Sequence, residues 1–177
     1  MNIWKDINPE RVTPEKFIAC IEISAGSKTK YELDKETGML ILDRILYTAT
    51  HYPANYGFIP GTLSDDGDPL DVLVLCSQRL LPNTLVKCFP IGVLTMIDDE
   101  LLDQKIIAIP SRDPGLNSYR DIGDLPAHTF EEITNFFEIY KILEKIATSV
   151  TEIKGVDEAK LAISACVEKF RSNSHPL

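Results

Sequence analysis

Asp66-Gly67-Asp68-Pro69-Leu70-Asp71-Val72-Leu73-Val74-Leu75 joins an acidic turn directly to an uninterrupted apolar run. The branched residues from Val72 onward read as a buried strand. Gly67 and Pro69 make the preceding stretch a tight, stiff turn, which fixes where its carboxylates point. Carboxylates this close repel, and each resists ionising while its neighbours are charged. A hard divalent cation offsets that repulsion, because Mg²⁺ takes oxygen ligands and sits beside substrate phosphates. The stretch therefore predicts an acidic metal site at the end of a rigid β-element.

Outward from this turn, the first two-thirds of the chain reads as β. Further strands are expected over residues 17–23, 31–34, 39–43, 72–76, 85–89, 91–95 and 105–109. Lys35-Glu36-Thr37-Gly38 is a short connection ending in Gly, so the second and third of these form a hairpin. Residues 52–61, with Pro53, Gly57, Pro60 and Gly61, read as turns. Short strands at close intervals suggest a barrel or sandwich. The last third turns helical. Thr129 and Glu132 have the capping-box spacing, and Phe130, Ile133, Phe137, Tyr140, Leu143, Ala147 and Val150 recur at helical intervals. Gly155 closes that region, Asp157 caps a second helix to about residue 170, and residues 172–177 read as a frayed tail.

No linker, repeat or low-complexity tract interrupts the 177 residues, so one domain over 1–177 is expected. With 18 Lys and Arg against 27 Asp and Glu, the net charge is −9. That balance argues against nucleic-acid or membrane-surface partners, which favour basic patches. It leaves room for a phosphorylated substrate if metal ions reverse the sign locally. Cys20, Cys76, Cys88 and Cys166 lie far apart, without zinc-site spacing or a disulfide framework. Free buried thiols, a start without a signal-peptide core and no membrane-length window together predict a cytoplasmic protein.

A second acidic set, Asp98-Asp99-Glu100 with Asp103, precedes Lys105. Adjacent barrel strands would bring both sets, five or six carboxylates in all, to one mouth. A lone surface charge run is usually just solvated. Two runs, each abutting an apolar strand, favour a metal site. Other motifs fail: counted from Asp66, EF-hand positions five, six and twelve hold Leu70, Asp71 and Ser77, and neither a Walker A loop nor a His-Glu-x-x-His occurs. His51, His128 and His175 stand alone, and each reads as structural or exposed. Lys30-Tyr31-Glu32, Arg44 and Tyr140-Lys141 supply cations and phenols, although Tyr140 also fits the apolar stripe of its helix. The residues alone indicate a divalent-metal site, leave a phosphate ligand open, and specify no reaction.

The turn 66–71 resembles the Asp-x-Asp-Pro-x-Asp signature of family I soluble inorganic pyrophosphatases of bacterial type. Lys30-Tyr31-Glu32, Asp43-Arg44, Tyr52-Pro53-x-Asn55-Tyr56-Gly57, Asp98 with Asp103-x-Lys105, and Phe136-Phe137-x-x-Tyr140-Lys141 follow that family's order and spacing. The resemblance implies an α+β domain: a twisted five-stranded OB-like β-barrel flanked by two C-terminal helices. It implies Mg²⁺-dependent hydrolysis of pyrophosphate by a metal-activated water, with Mn²⁺ or Zn²⁺ as candidate substitutes, and a homo-oligomer, commonly a hexamer. Carried over by residue, Asp66, Asp71 and Asp103 resemble ligands of the first metal, with Asp98 and Glu32 serving further ions. Asp68 matches the general base, and Lys30, Arg44, Tyr140 and Lys141 match the phosphate-holding positions. Tyr56 matches a hydrogen-bonding active-site residue, while Glu22, Lys105 and Tyr52 match supporting ones. Two rivals are an aspartate-nucleophile phosphatase, from Asp66-x-Asp68, and an OB-like binding module without turnover. The first has its strand before the motif rather than after it, and the second needs a basic groove. Ser24, a segment 22–30 about one residue short, and Leu101-Leu102 depart from common bacterial forms without removing a proposed ligand.

Overall fold

A computed structural model describes residues 2–174, so His175 and the last part of the tail read as frayed lie outside the described residues. Strand β1 (Phe17–Ile23) is buried at every position and opens the main sheet. Strands β2 (Thr29–Leu33) and β3 (Leu40–Ile45) form the expected hairpin as a separate two-stranded sheet. The main sheet continues with β4 (Asn55–Ile59), β5 (Leu70–Val74), β6 (Leu85–Asp98), β7 (Leu101–Pro110) and β8 (Thr148–Lys154). Its order is β1-β4-β5-β7-β6-β8, and an additional β1–β6 pairing closes five of these strands into a ring. With helices α1 (Ala127–Ile139) and α2 (Val156–Ser174), the described residues form the expected five-stranded OB-like barrel and two C-terminal helices.

The continuous apolar run after the acidic turn has a packing reason. Strands β5 and β7 pair in parallel and are covered on both faces, so beyond the Asp71–Lys105 rung both faces are apolar. Val72, Val74, Ile106 and Ala108 join Ala159, Ile163 and Val167 of α2 in one core. Leu73, Leu75, Ile107 and Ile109 join Ile133, Phe136 and Phe137 of α1 in another.

Several elements differ from expectation. Strand β4 lies inside the stretch read as turns. Gly57 pairs with Ile21 there, and a Cβ on it would overlap the Cys20 carbonyl oxygen, so glycine serves close strand approach rather than a turn. Strand β6 is one 14-residue strand that passes Pro90 through a bulge between Pro90 and Gly92. Helix α1 ends at Ile139, and its N-cap position is Pro126 with no side-chain cap, so the Thr129–Glu132 capping box does not form. Ala147 and Val150 are not helical, because Lys145 turns the chain at φ 60° and residues 148–154 become β8. Nor is Asp157 the cap of α2; it lies in the first turn, while Asp121 Oδ2 accepts from the Val156 N–H at 2.9 Å. All four cysteines are free, with Cys20 and Cys88 buried and Cys76 and Cys166 only partly so. No helix among the described residues is long and apolar enough to cross a membrane.

Candidate active site

Lys105 stands at the centre of the site, only 2% exposed. Parallel pairing sets Lys105 opposite Asp71, and β4 brings Tyr56 alongside. The Lys105 Nζ donates to Asp71 Oδ2 at 2.7 Å, Asp103 Oδ2 at 2.8 Å and the Tyr56 hydroxyl at 2.9 Å. The Tyr56 hydroxyl itself donates to Asp71 Oδ2. Burial opposes the charge on Lys105, but Asp71, Tyr56 and Asp103 outweigh it and hold its pKa well above the ordinary value. Burial and then the Asp71 charge raise the Tyr56 phenol, which stays neutral. Burial, followed by the negative charge of Asp71, pushes Glu22 up to about 8, and its carboxyl accepts from the Leu33 N–H at 2.8 Å.

The acidic turn fronts this group. Gly67 adopts φ 87°, Asp66 Oδ1 accepts from the Asp68 N–H at 2.9 Å, and the Ser64 N–H donates to the Asp68 carbonyl at 2.7 Å. The turn is thus internally bonded, as Gly67 and Pro69 implied. A cavity of about 230 Å³ lies before it, lined by Glu22, Lys30, Glu32, Tyr56, Asp66, Asp68 and Asp71 among others. The β2–β3 hairpin forms its opposite wall and pairs Lys30 with Arg44 across the strands. Lys30 Nζ contacts Glu32 and, at 3.0 Å, Asp43 Oδ2. Arg44 binds Asp43 Oδ2 at 2.5 Å.

A second group lies where β6 meets the end of α1. Asp98 Oδ2 accepts from Lys141 Nζ at 2.5 Å and from the Tyr140 hydroxyl at 3.2 Å. Tyr140 is anchored by Phe136 and Phe137, with ring centroids 5.1 and 5.6 Å away, and Tyr52 packs on Phe136 at 4.8 Å. Asp99 and Glu100 instead form the exposed tip of the β6–β7 hairpin at positive φ.

The five or six carboxylates expected at one mouth are interleaved with ammonium groups: Lys30 on Glu32, Lys35 on Asp68, Lys105 on Asp71 and Asp103, Lys141 on Asp98. Among the described residues no three acidic, His or Cys side chains close into a preformed metal cage. Asp98 Oδ1 is nonetheless buried without a hydrogen-bond partner, and Asp68 Oδ1, buried too, meets only the Lys35 ammonium. Sequence reasoning did not single out Lys35 or Glu144. Lys35 comes from the hairpin turn, and Glu144 follows Lys141 and contacts Arg44. Neither carries a spacing signal, since each reaches its partner through tertiary folding.

Comparison with known proteins bears on the chain as a whole. The inorganic pyrophosphatase family model matches residues 19–171. Soluble inorganic pyrophosphatase 2 of Chlamydomonas reinhardtii is 44% identical over 174 residues, covering 98% of this chain and 90% of that protein. The inorganic pyrophosphatase of Aquifex pyrophilus is 43% identical, across 95% of this chain and 97% of its own. The crystal structure of the inorganic pyrophosphatase from Thermus thermophilus superposes with a TM-score of 0.92 at 38% identity, over 97% of this chain and 99% of the other. Sequence and fold agree over nearly the whole length, and the chain belongs to the inorganic pyrophosphatase family.

Proposed function

We propose that this chain hydrolyses inorganic pyrophosphate to two orthophosphates by direct attack of water, with Mg²⁺ as its cofactor. The observation that carries the reading is the cavity of about 230 Å³, whose walls set Asp66, Asp68 and Asp71 against Lys30. Carboxylates alone would repel a phosphoanhydride, and cations alone would bind it without supplying a proton acceptor. Phosphoryl transfer depends mainly on positioning and electrostatics, which this pairing offers.

The residues fit a hard divalent cation. The donor set is all oxygen, and the buried Asp98 Oδ1 has no hydrogen-bond partner while Asp68 Oδ1 meets only the Lys35 ammonium, which an ion could displace. Asp66, Asp71 and Asp103 would hold the first ion, and Asp98 and Glu32 further ones; Mn²⁺ and Zn²⁺ are candidate substitutes. When bound, Mg²⁺ supplies positive charge that neutralises the phosphates and makes nearby water more acidic.

The chain's own groups do the rest. Lys30, Arg44 and Lys141 present charged donors to phosphate oxygens, and Tyr140 adds a neutral one. Asp68, on its stiff turn, accepts the proton of the attacking water. Tyr56 orients Asp71 through its hydroxyl, and Lys105, which does not line the cavity, bridges Asp71 and Asp103 and offsets their repulsion. Burial and then the Asp71 charge raise the Glu22 carboxyl to about 8, which weakens its negative charge beside the phosphates, while Tyr52 supports the aromatic wall. The same resemblance supports a cytoplasmic homo-oligomer, a hexamer by analogy, acting on pyrophosphate without nucleic-acid or membrane partners.

Phosphate release from pyrophosphate, assayed with Mg²⁺ and with EDTA, tests the reading. Turnover should require the metal, and Asp68→Asn should keep the fold while greatly reducing the rate. Metal-independent turnover, or none, would sink it.

A further inference from the structure

The short turn after α1, Ile142–Glu144, reverses the usual distribution of polarity. Ile142 and Leu143 are 59% and 62% exposed, whereas the Glu144 side chain is only 13% exposed. An acid is seldom withdrawn from water while its apolar neighbours face it, unless a partner holds it there. That partner is Arg44, whose Nε lies 3.0 Å from Glu144 Oε1. The remaining oxygen, Oε2, is buried without a hydrogen bond, so among the described residues Arg44 is the one cation paired with this carboxylate.

The backbone makes the placement specific. The Glu144 N–H donates to the Lys141 carbonyl at 2.9 Å, and Lys145 then leaves the turn at φ 60°. This tight return, three residues after Lys141, brings the Glu144 side chain to Arg44. On Arg44's own strand, Asp43 Oδ2 grips the guanidinium at 2.5 Å and also receives Lys30 Nζ at 3.0 Å. A line of alternating charge therefore runs Lys30–Asp43–Arg44–Glu144, joining the hairpin wall to the segment bearing Tyr140 and Lys141.

We infer that Glu144 is a positioning residue for pyrophosphate: it fixes the Arg44 guanidinium relative to Tyr140 and Lys141, so that both halves of the phosphate cradle keep one spacing. The inference rests on the proposed phosphate-holding role of Arg44. Asp43 alone anchors Arg44 to the hairpin and leaves it free to move with that hairpin. Glu144 anchors it across to the other wall.

Electrostatics and positioning give opposite signs here, which makes the role testable. Losing an acid beside a phosphate-binding cation should by itself tighten anion binding, whereas losing the anchor should weaken it. Steady-state kinetics with saturating Mg²⁺ should show Glu144→Gln raising KM for pyrophosphate with kcat little changed, so that kcat/KM falls about tenfold. Glu144→Asp, which keeps the charge but shortens the reach, should fall between. In an Arg44→Ala background, Glu144→Gln should have no further effect, because it acts only through that arginine. A lower or unchanged KM in Glu144→Gln would overturn the role. So would a loss that persists undiminished without Arg44. Unchanged kinetics in Arg44→Ala would instead refute the phosphate-holding reading of Arg44, and the positioning role with it.

Discussion

Replacing Lys105 by Met is the sharpest test of how the site holds together. Methionine keeps much of the length and volume of lysine and removes three donors at once, those to Asp71, Asp103 and Tyr56. A hydrogen bond to a charged group is worth about 1.5–3 kcal/mol when well shielded. The side chains of Asp71 and Asp103 are 29% and 20% exposed, so water partly replaces the lost partner. Counting about 1 kcal/mol for each contact gives about 3 kcal/mol, the lower end of what breaking a buried ion pair costs. For a chain of this size each kcal/mol corresponds to about 2–4 °C, so Tm should fall by about 6–12 °C. Thermal unfolding followed by circular dichroism in EDTA, where no cation can substitute, measures this directly. Adding Asp103→Asn should recover part of the loss, since one of the two stranded charges disappears. A Tm within about 2 °C of the parent would refute the argument that this ammonium is what keeps the two carboxylates in place.

Two further outcomes follow from places outside that cluster. Asp113 is buried and accepts from the Ser77 N–H at 2.7 Å, the Ser77 hydroxyl at 3.1 Å and the Gly115 N–H at 3.0 Å, and these bonds hold its carboxyl below the ordinary range. Asp113→Asn should cost about 2 kcal/mol, because an NH₂ must face one of those donors. Since the folded pKa is depressed, the contribution of Asp113 is complete above the unfolded value and lost as pH falls through the folded one; urea melts should give the same deficit at pH 5.5 and 8, shrinking only below about pH 4. At the β6–β7 tip, Asp99 and Glu100 adopt φ 48° and 69° between the paired residues Asp98 and Leu101, a geometry that favours glycine. Glu100→Gly should therefore stabilise by about 1 kcal/mol and raise Tm by about 3 °C, and a lower Tm would count against strain at that turn.

The parts of the fold legible in the sequence are those where one local pattern had one meaning. Strand β1 falls where its apolar run lies, and Lys35–Gly38 closes the hairpin that was expected. Strand β4 was hidden because Pro53, Gly57 and Pro60 suit turns, whereas here the prolines flank the strand and the glycine admits a neighbouring backbone. Strand β8 was hidden for a subtler reason. Ala147 and Val150 continue the helical spacing of α1, and a register shift opposite Thr95 and Met96 sets the inward residues Val150 and Ile153 three apart, so no strand alternation shows. The site shows the same division. Asp66, Asp68 and Asp71 announce themselves through their crowding, and Asp103 with Lys105 through their proximity to a strand. Lys35 and Glu144 have ordinary surroundings in the sequence, and only the approach of the hairpin and the post-helix turn gives each a partner.

The parallel pairing of β5 with β7 also governs when the site can exist. Asp71 and Lys105 are 34 residues apart and face each other only once the intervening β6 has turned back and β7 has paired with β5. Such non-local contacts form slowly, because chain entropy is lost before the pairing returns any stability. A nascent chain that has exposed the acidic turn but not yet β7 carries unneutralised charge next to the most apolar segments of its barrel. That charge opposes premature collapse and pairing with a neighbouring chain. The ammonium thus ties the site to strand register: a slip of one residue along β7 would turn Lys105 to the opposite face and leave Asp71 without its partner.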